Sequence, residues 1–424
     1  MQLYSYPQDL VDHLERNWPD DVTRRFPPEA LYDVFAVAYH ASFLRDENRP
    51  VRLRMLVAAP EHTPAEDDGP SGVLRWRLEK TRPLVADELR RIAPAAPFES
   101  ALVCVDPGAG DRTGTLWGLS HSGAGWLAPT TGGRRVQGPT HDHLVVHVVA
   151  PGRLAVFAGE RFLVELEGGE LHDLTHDVFD STWLPAAFAQ SRVDFVAQLD
   201  TAIDHHGRSF SVDPKLAKYV SQQLLKRVLA LLRTSRHGGM LLFVDRSTLH
   251  APLPSCVRVK YALADEAPRR RHRALLEKMV RELASRHASL CETSPETSWK
   301  DLLRSPSAEL VGIEQNIFEL ARFVAGLTSV DGAVVLDKRI ELLGFGAEVL
   351  HQSDTYRVYR ALDGEAIERF VDDEESVGTR HRAAYRFVHA HPRGLAIVVS
   401  QDGGVRFVTQ IRGEVTYFEQ KLVG

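Results

Sequence analysis

Gly378-Thr379-Arg380-His381-Arg382 gathers a glycine, a hydroxyl and three cations at what reads as the entry to a helix. The chemistry of such a turn is anion binding. Free backbone N–H groups and the positive end of the helix dipole point at an arriving anion, and phosphate is the natural ligand. Thr379 could cap the helix or donate its hydroxyl, while Arg380, His381 and Arg382 supply charge-assisted donors around the turn. The helix needs only Ala384, Phe387 and Val388 for its apolar face, so the cations are free of a packing role. Upstream, "SVDGAVVLD" offers one carboxylate, Asp331, followed by Gly332 and Ala333 at the start of an apolar strand. Downstream, "LAIVVS" is a second buried strand ending on Ser400.

These groups need a scaffold, and the patterning supplies one. A helix over 307–326 presents Leu310, Ile313, Ile317, Leu320 and Val324 on one face. "GAVVL", a turn at Asp337-Lys338-Arg339 and "IELLGFG" form a hairpin behind it. His391-Pro392 and Gly394 end the cationic helix, and "VRFVTQI" with "VTYFEQ" make another hairpin. The segment between the motifs, "TYRVYRALDGEAIERFVDDEES", reads as an extra hairpin turning at Asp363-Gly364 that could reshape or cover the pocket mouth. The expected C-terminal architecture is a mixed sheet with packed helices.

Earlier parts of the chain are less regular. Helical patterns over 7–18 and 28–43 alternate with the strand-like "VRLRMLVAAP", and 61–72 reads as a loop. From 98 to 170, short apolar runs cut by turn residues indicate a β-rich unit. From 185 to 235 the period lengthens to that of a helix. "GGMLLFV" and "CVRVKYAL" read as buried strands, 268–290 as a helix, and "SPETSWKDLLRSPSAE" as a linker. The fold class is therefore α/β in the broad α+β sense, with three expected parts: 1–184, 185–304 and 305–424.

Composition restricts the functions available. The 424 residues carry 51 Lys+Arg against 57 Asp+Glu, a net charge of −6 that gives no footprint for bulk nucleic-acid binding. Cys104, Cys256 and Cys291 are scattered, with no CxxC, which argues against a disulfide framework or a cysteine zinc site. Neither a signal sequence nor a membrane-spanning apolar run is present, so a cytoplasmic location without membrane contact is expected.

Other constellations read as structural. His141, His143 and His147 share a strand face by even spacing but lack further metal ligands. His172 and His176 fall in a loop-like context. "RRRHR" at 269–273 opens a helix, where positive charge opposes the macrodipole, and reads as a solvated face. Cys104 and Cys256 read as core.

Taken together, "DGA" at 331–333, "GTRHR" at 378–382 and "AIVVSQDGGVRF" resemble the diadenylate cyclase family, the DisA-type domain that condenses two ATP into cyclic di-AMP. The resemblance covers about 305–424. It implies that Asp331 holds a Mg²⁺ or Mn²⁺ near the attacking ribose 3′-hydroxyl, with Gly332 and Ala333 giving the backbone close access to the nucleotide. It further implies that Gly378, Thr379, Arg380, His381 and Arg382 hold the triphosphate, and that Ser400 sits near the base or ribose. One ATP per domain implies catalysis across a homo-oligomer, at least a dimer. The preceding chain resembles the sensor region called DACNV, through "VAYHASFLR" and "DVFDSTWLP", and would take an unknown small ligand. The family's pair of acids after the serine is here Gln401-Asp402. The alternative to an enzyme is a non-catalytic sensor of ATP or a cyclic nucleotide.

Overall fold

Two five-residue runs, "AVVLD" and "LAIVV", are buried along their whole length, which only the interior of a sheet covered on both faces allows. The computed structural model describes residues 4–18, 26–63, 74–108, 113–121, 143–159, 161–173, 177–200, 211–235, 237–246, 252–290, 296–297, 307–350, 356–372, 377–401 and 403–420. Met1–Pro129 and Arg134–Leu174 form one unit, and Thr175–Leu422 a second. The α+β class holds for both.

In the first unit, helices α1 (Pro7–Asn17) and α2 (Pro28–Ser42) both begin with proline at the first turn, where its missing N–H costs nothing. The strands are β1 (Leu53–Val57), β2 (Leu74–Pro83), β3 (Ala101–Asp106), β4 (Thr115–His121), β5 (Leu144–Ala150), β6 (Arg153–Ala158), β7 (Arg161–Glu167) and β8 (Glu170–Asp173). They form one eight-stranded sheet in the order β8-β7-β6-β5-β1-β3-β4-β2, with a short helix, α3 (Ala86–Ile92), between β2 and β3. Leu10, Val11 and Leu14 of α1 and Val34, Phe35 and Ala38 of α2 join the core of this sheet. The structural reading of the strand histidines holds for His143 and His147, which are 5% and 1% exposed. The His147 ring packs 4.1 Å from that of Phe157. His141 and His176 lie outside the described residues, and His172 lies on β8 rather than in a loop. Cys104 is core, as expected.

The second unit contains α4 (Ala189–Asp200), α5 (Pro214–Ser235), β9 (Gly239–Val244), β10 (Val257–Ala262), α6 (Arg271–Leu290), α7 (Ala308–Leu327), β11 (Ala333–Asp337) and β12 (Leu342–Val349). It continues with β13 (Val358–Ala361), β14 (Arg369–Asp372), α8 (Thr379–Ala390), β15 (Leu395–Val399), β16 (Val405–Ile411) and β17 (Glu414–Gln420). One nine-stranded sheet runs β10-β12-β11-β9-β15-β16-β17-β13-β14. Side chains alternate between its faces, as the pleat requires. Leu241, Phe243, Val334, Leu336, Ile397 and Val399 join the core built with α5, α6 and α7. Met240, Leu242, Ala333, Val335, Ala396 and Val398 pack with Ala384, Tyr385, Phe387 and Val388 of α8. Phe387 is wholly buried, so its truncation to alanine would cost about 3–5 kcal/mol.

This sheet corrects several expectations. The boundary near residue 305 does not divide it: β9 pairs in parallel with β11, and β10 pairs with β12, so residues before and after 305 share one ladder. A parallel pairing across several intervening helices and strands leaves no local signature. The expected boundary at 184 also moves, since "DVFDSTWLP" belongs to the second unit. The Val178 amide donates to Gln420 Oε1 at 2.7 Å, and Trp183 stacks on Phe418 at 4.6 Å. Strand β10 is an edge, paired only with β12, and most of its residues are exposed or partly exposed rather than buried. The expected linker and Cys291 fall largely outside the described residues.

Candidate functional site

The register of three neighbouring strands brings the motif residues to one end of the sheet. Strand β9 sets Leu241 opposite Val334 of β11, so Gly239, two residues back, is level with Gly332. On its other side Gly239 is opposite Val399, the last residue of β15, with Ser400 next. Asp331 and Ser400 are therefore two strand spacings apart, about 10 Å. One nucleotide can reach both.

Helix α8 begins at the same end. Gly378 is its N-cap, in extended conformation (φ −65°, ψ 163°), with no side-chain cap. Thr379 is the first helical residue and exposed, so its hydroxyl does not cap the helix. The amides of His381 and Arg382 bond back to Gly378 O at 3.1 and 3.2 Å. Those of Thr379 and Arg380 point out of the helix end. Arg380 Nη1 donates to His237 O at 3.2 Å, which ties the helix start to the chain entering β9. Arg382 Nη1 turns back to Val377 O at 3.0 Å.

Glycines keep this end open to a backbone-hugging ligand. Gly238 sits at φ +64°, and a Cβ there would lie 2.7 Å from Val399 O and 3.0 Å from Arg380 Nη1. Gly332, at φ +110°, would put a Cβ 2.7 Å from Ala347 O. Neither position accepts a side chain without displacing backbone. The Ser400 hydroxyl donates to Gly404 O at 3.0 Å within the turn to β16, and Arg233 Nε, from the end of α5, donates to Gly403 O at 3.1 Å. Asp402 lies outside the described residues.

The structure thus gathers Asp331, Gly332, Ala333, Gly378, Thr379, Arg380 and Ser400 around one sheet end, with His381 and Arg382 on the same helical turn. It adds three residues not anticipated from the sequence: Arg233, His237 and Gly238. The paired glycines of "HGGM" just before an apolar strand were the only local signal for them.

Asp331 is exposed at the strand start. No group of three or more His, Cys, Asp or Glu side chains able to hold a metal occurs among the described residues. One carboxylate fits a Mg²⁺-type ion held chiefly by water and a substrate's phosphates, not a protein cage. The extra hairpin expected between the motifs is present as β13 and β14. Its described residues extend the sheet beyond β17, where β13 pairs in parallel, instead of covering the site.

The segment "RRRHR" departs from its expected solvated face. His272 and Arg273 are 3% and 5% exposed, because the start of α6 turns inward over the sheet. Cys256 is buried, as expected.

Comparison with known families matches residues 22–121 to a domain described as "Probable sensor domain DACNV", and the match lies in the first unit. It includes "VAYHASFLR" but not "DVFDSTWLP". No curated protein matches the chain. A solved structure described as the hypothetical membrane spanning protein from Bacillus cereus aligns over 49% of this chain and 72% of that one. Its identity is 16% and its TM-score 0.24, an overlap too loose to bear on fold or function. Among the described residues, no helix is long and apolar enough to cross a membrane.

Proposed function

We propose that the second unit binds ATP at the sheet end formed by β11, β9 and β15, and that two such units condense two ATP into cyclic di-AMP. The observation that carries this reading is the shared register of Gly332, Gly239 and Val399 beside the cationic start of α8. In each half-reaction the ribose 3′-hydroxyl oxygen of one ATP bonds to the α-phosphorus of the other, the bond from that phosphorus to the bridging β-phosphate oxygen breaks, pyrophosphate leaves, and the hydroxyl proton is released to water. Two half-reactions close the ring and release two pyrophosphates.

Arg380, with the amides of Thr379 and Arg380, binds the triphosphate and meets charge as it moves onto the leaving group. Asp331 would hold Mg²⁺ or Mn²⁺, which when bound neutralises phosphate charge. Gly332 and Gly238 let the backbone approach the nucleotide. With one ATP per unit, the two reacting nucleotides face each other across a homodimer interface. The DACNV domain then acts as the regulatory sensor of a cytoplasmic enzyme and responds to a small ligand.

A non-catalytic nucleotide sensor is the second reading, favoured by Asp331 being the one carboxylate placed at the site among the described residues. Incubation with ATP and Mn²⁺, with the product identified by mass, separates the two. Cyclic di-AMP with two equivalents of pyrophosphate is expected, and bound but unreacted ATP would leave only the sensor.

A further inference from the structure

On the face of the nine-stranded sheet opposite α8, a cavity of about 90 Å³ lies among α4, α5, α6 and α7. One water needs about 10–15 Å³ by the same measure, so the space holds roughly six to nine water-sized volumes. Leu241, Phe243 and Leu336 of the sheet line it, with Phe188 and Phe195 from the segment before α5. An apolar cavity of this kind would ordinarily be closed by more apolar side chains. Here Arg192, Lys218, Arg269, His272, Arg273, Lys338 and Arg339 join the lining, and among the described residues no carboxylate does.

Several of these charges are only partly compensated. Arg339 lies 3.6 Å from Asp194 and 3.9 Å from Asp337, Arg273 lies 3.8 Å from Glu277 and donates to Gln198, and the buried Glu341 carboxylate attracts Arg269, Arg270 and Arg339. Arg269 Nε and His272 Nε2 are buried without a hydrogen-bond partner among the described residues. Lys338 Nζ stands 4.8 Å over the Phe188 ring, and the carboxylate that attracts it is that of Asp245. Burial pulls the His272 imidazole down to about 4 and the Lys338 ammonium to about 8. At neutral pH His272 is therefore uncharged and able to donate one N–H, while Lys338 is mostly protonated. Cations at the wall of an apolar cavity are costly to hold away from water, and an anionic occupant would offset that cost.

We propose that this cavity is a binding site for a small amphipathic anion, a carboxylate on an aromatic or branched aliphatic body, with its head taken by the cationic lining. The body packs against Phe188, Leu241 and Phe243. The site stands on a different sheet face from α8, and it does not depend on the cyclase reading.

The test is calorimetric titration of the full chain with phenylacetate and with its neutral isostere phenylacetamide. Phenylacetate should bind at least tenfold more tightly than the amide. Lys338→Met should weaken phenylacetate at least tenfold. Ser221→Trp, which fills the cavity from α5, should abolish binding while leaving the circular dichroism spectrum and melting temperature intact. No binding at millimolar phenylacetate, equal affinity for the amide, or unchanged affinity in both folded variants would overturn the proposal.

Discussion

The two ends of the nine-stranded sheet handle charge in opposite ways. At the end marked by Gly332, Gly239 and Val399, Asp331 and Thr379 are exposed, and Arg380 donates to the His237 carbonyl. At the other end Asp337 and Glu341 are 0% and 1% exposed. Asp337 Oδ1 accepts from the amides of Arg339 and Glu341 at 2.8 and 3.1 Å, Arg270 meets Glu341 at 3.2 Å, and Arg393 meets Asp245 at 2.9 Å. Burial pushes both carboxyls above their ordinary values, and Asp337 adds to the rise at Glu341. Asp337 and Glu341 are therefore held inside the fold chiefly by backbone amides and arginines, although Asp337 Oδ2 and both Glu341 carboxylate oxygens accept no hydrogen bond among the described residues. Groups left facing water at a glycine-lined edge retain the capacity to meet a ligand.

This contrast breaks most sharply at Asp331. Asp331→Asn should lower cyclic di-AMP formation roughly a hundredfold or more, the several kcal/mol that a metal's charge neutralisation contributes, with little change in melting temperature. Product counted by mass and a thermal melt check both halves.

A smaller loss is expected at the backbone. Gly332→Ala forces a side chain into φ +110° against Ala347 O, a strain of about 1–3 kcal/mol, read as a lowered denaturation midpoint. Gly413, also at positive φ (+81°) but with open space around it, should tolerate alanine better.

The smallest effect belongs to the buried end. A carboxyl whose folded value is raised holds its proton where the unfolded chain has lost it. Glu341 therefore costs nothing below its ordinary value near 4.5, and its cost grows as pH rises through the folded value. Glu341→Gln should flatten that decline by an amount on the order of 1 kcal/mol, the usual size of a single-site effect. Melts at pH 4.5 and pH 7.5 would show it, and ATP affinity should not move.

Local chemistry was legible in the sequence where it is carried by neighbours in the chain. The start of α8 at Gly378, the all-buried runs "AVVL" and "LAIVV", and the turn at Asp337 all follow from residue order. Long-range pairing was not. Nothing near Gly239 announces that it aligns with both Gly332 and Val399, and the inward turn of His272 and Arg273 depends on cavity-lining partners far along the chain. The site was therefore legible as pieces, and the strand that joins them, β9, read only as a generic buried strand.

Calorimetric titration of ATP tests the central claim, that the Gly332–Gly239–Val399 end is the nucleotide site. Wild type, Asp331→Asn and Glu341→Gln should bind ATP with similar affinity. Changing Arg380 and Arg382 together to alanine should weaken it at least tenfold, since each charged hydrogen bond is worth about 1.5–3 kcal/mol. Equal ATP affinity in all four proteins, or a loss confined to Glu341→Gln, would contradict the assignment.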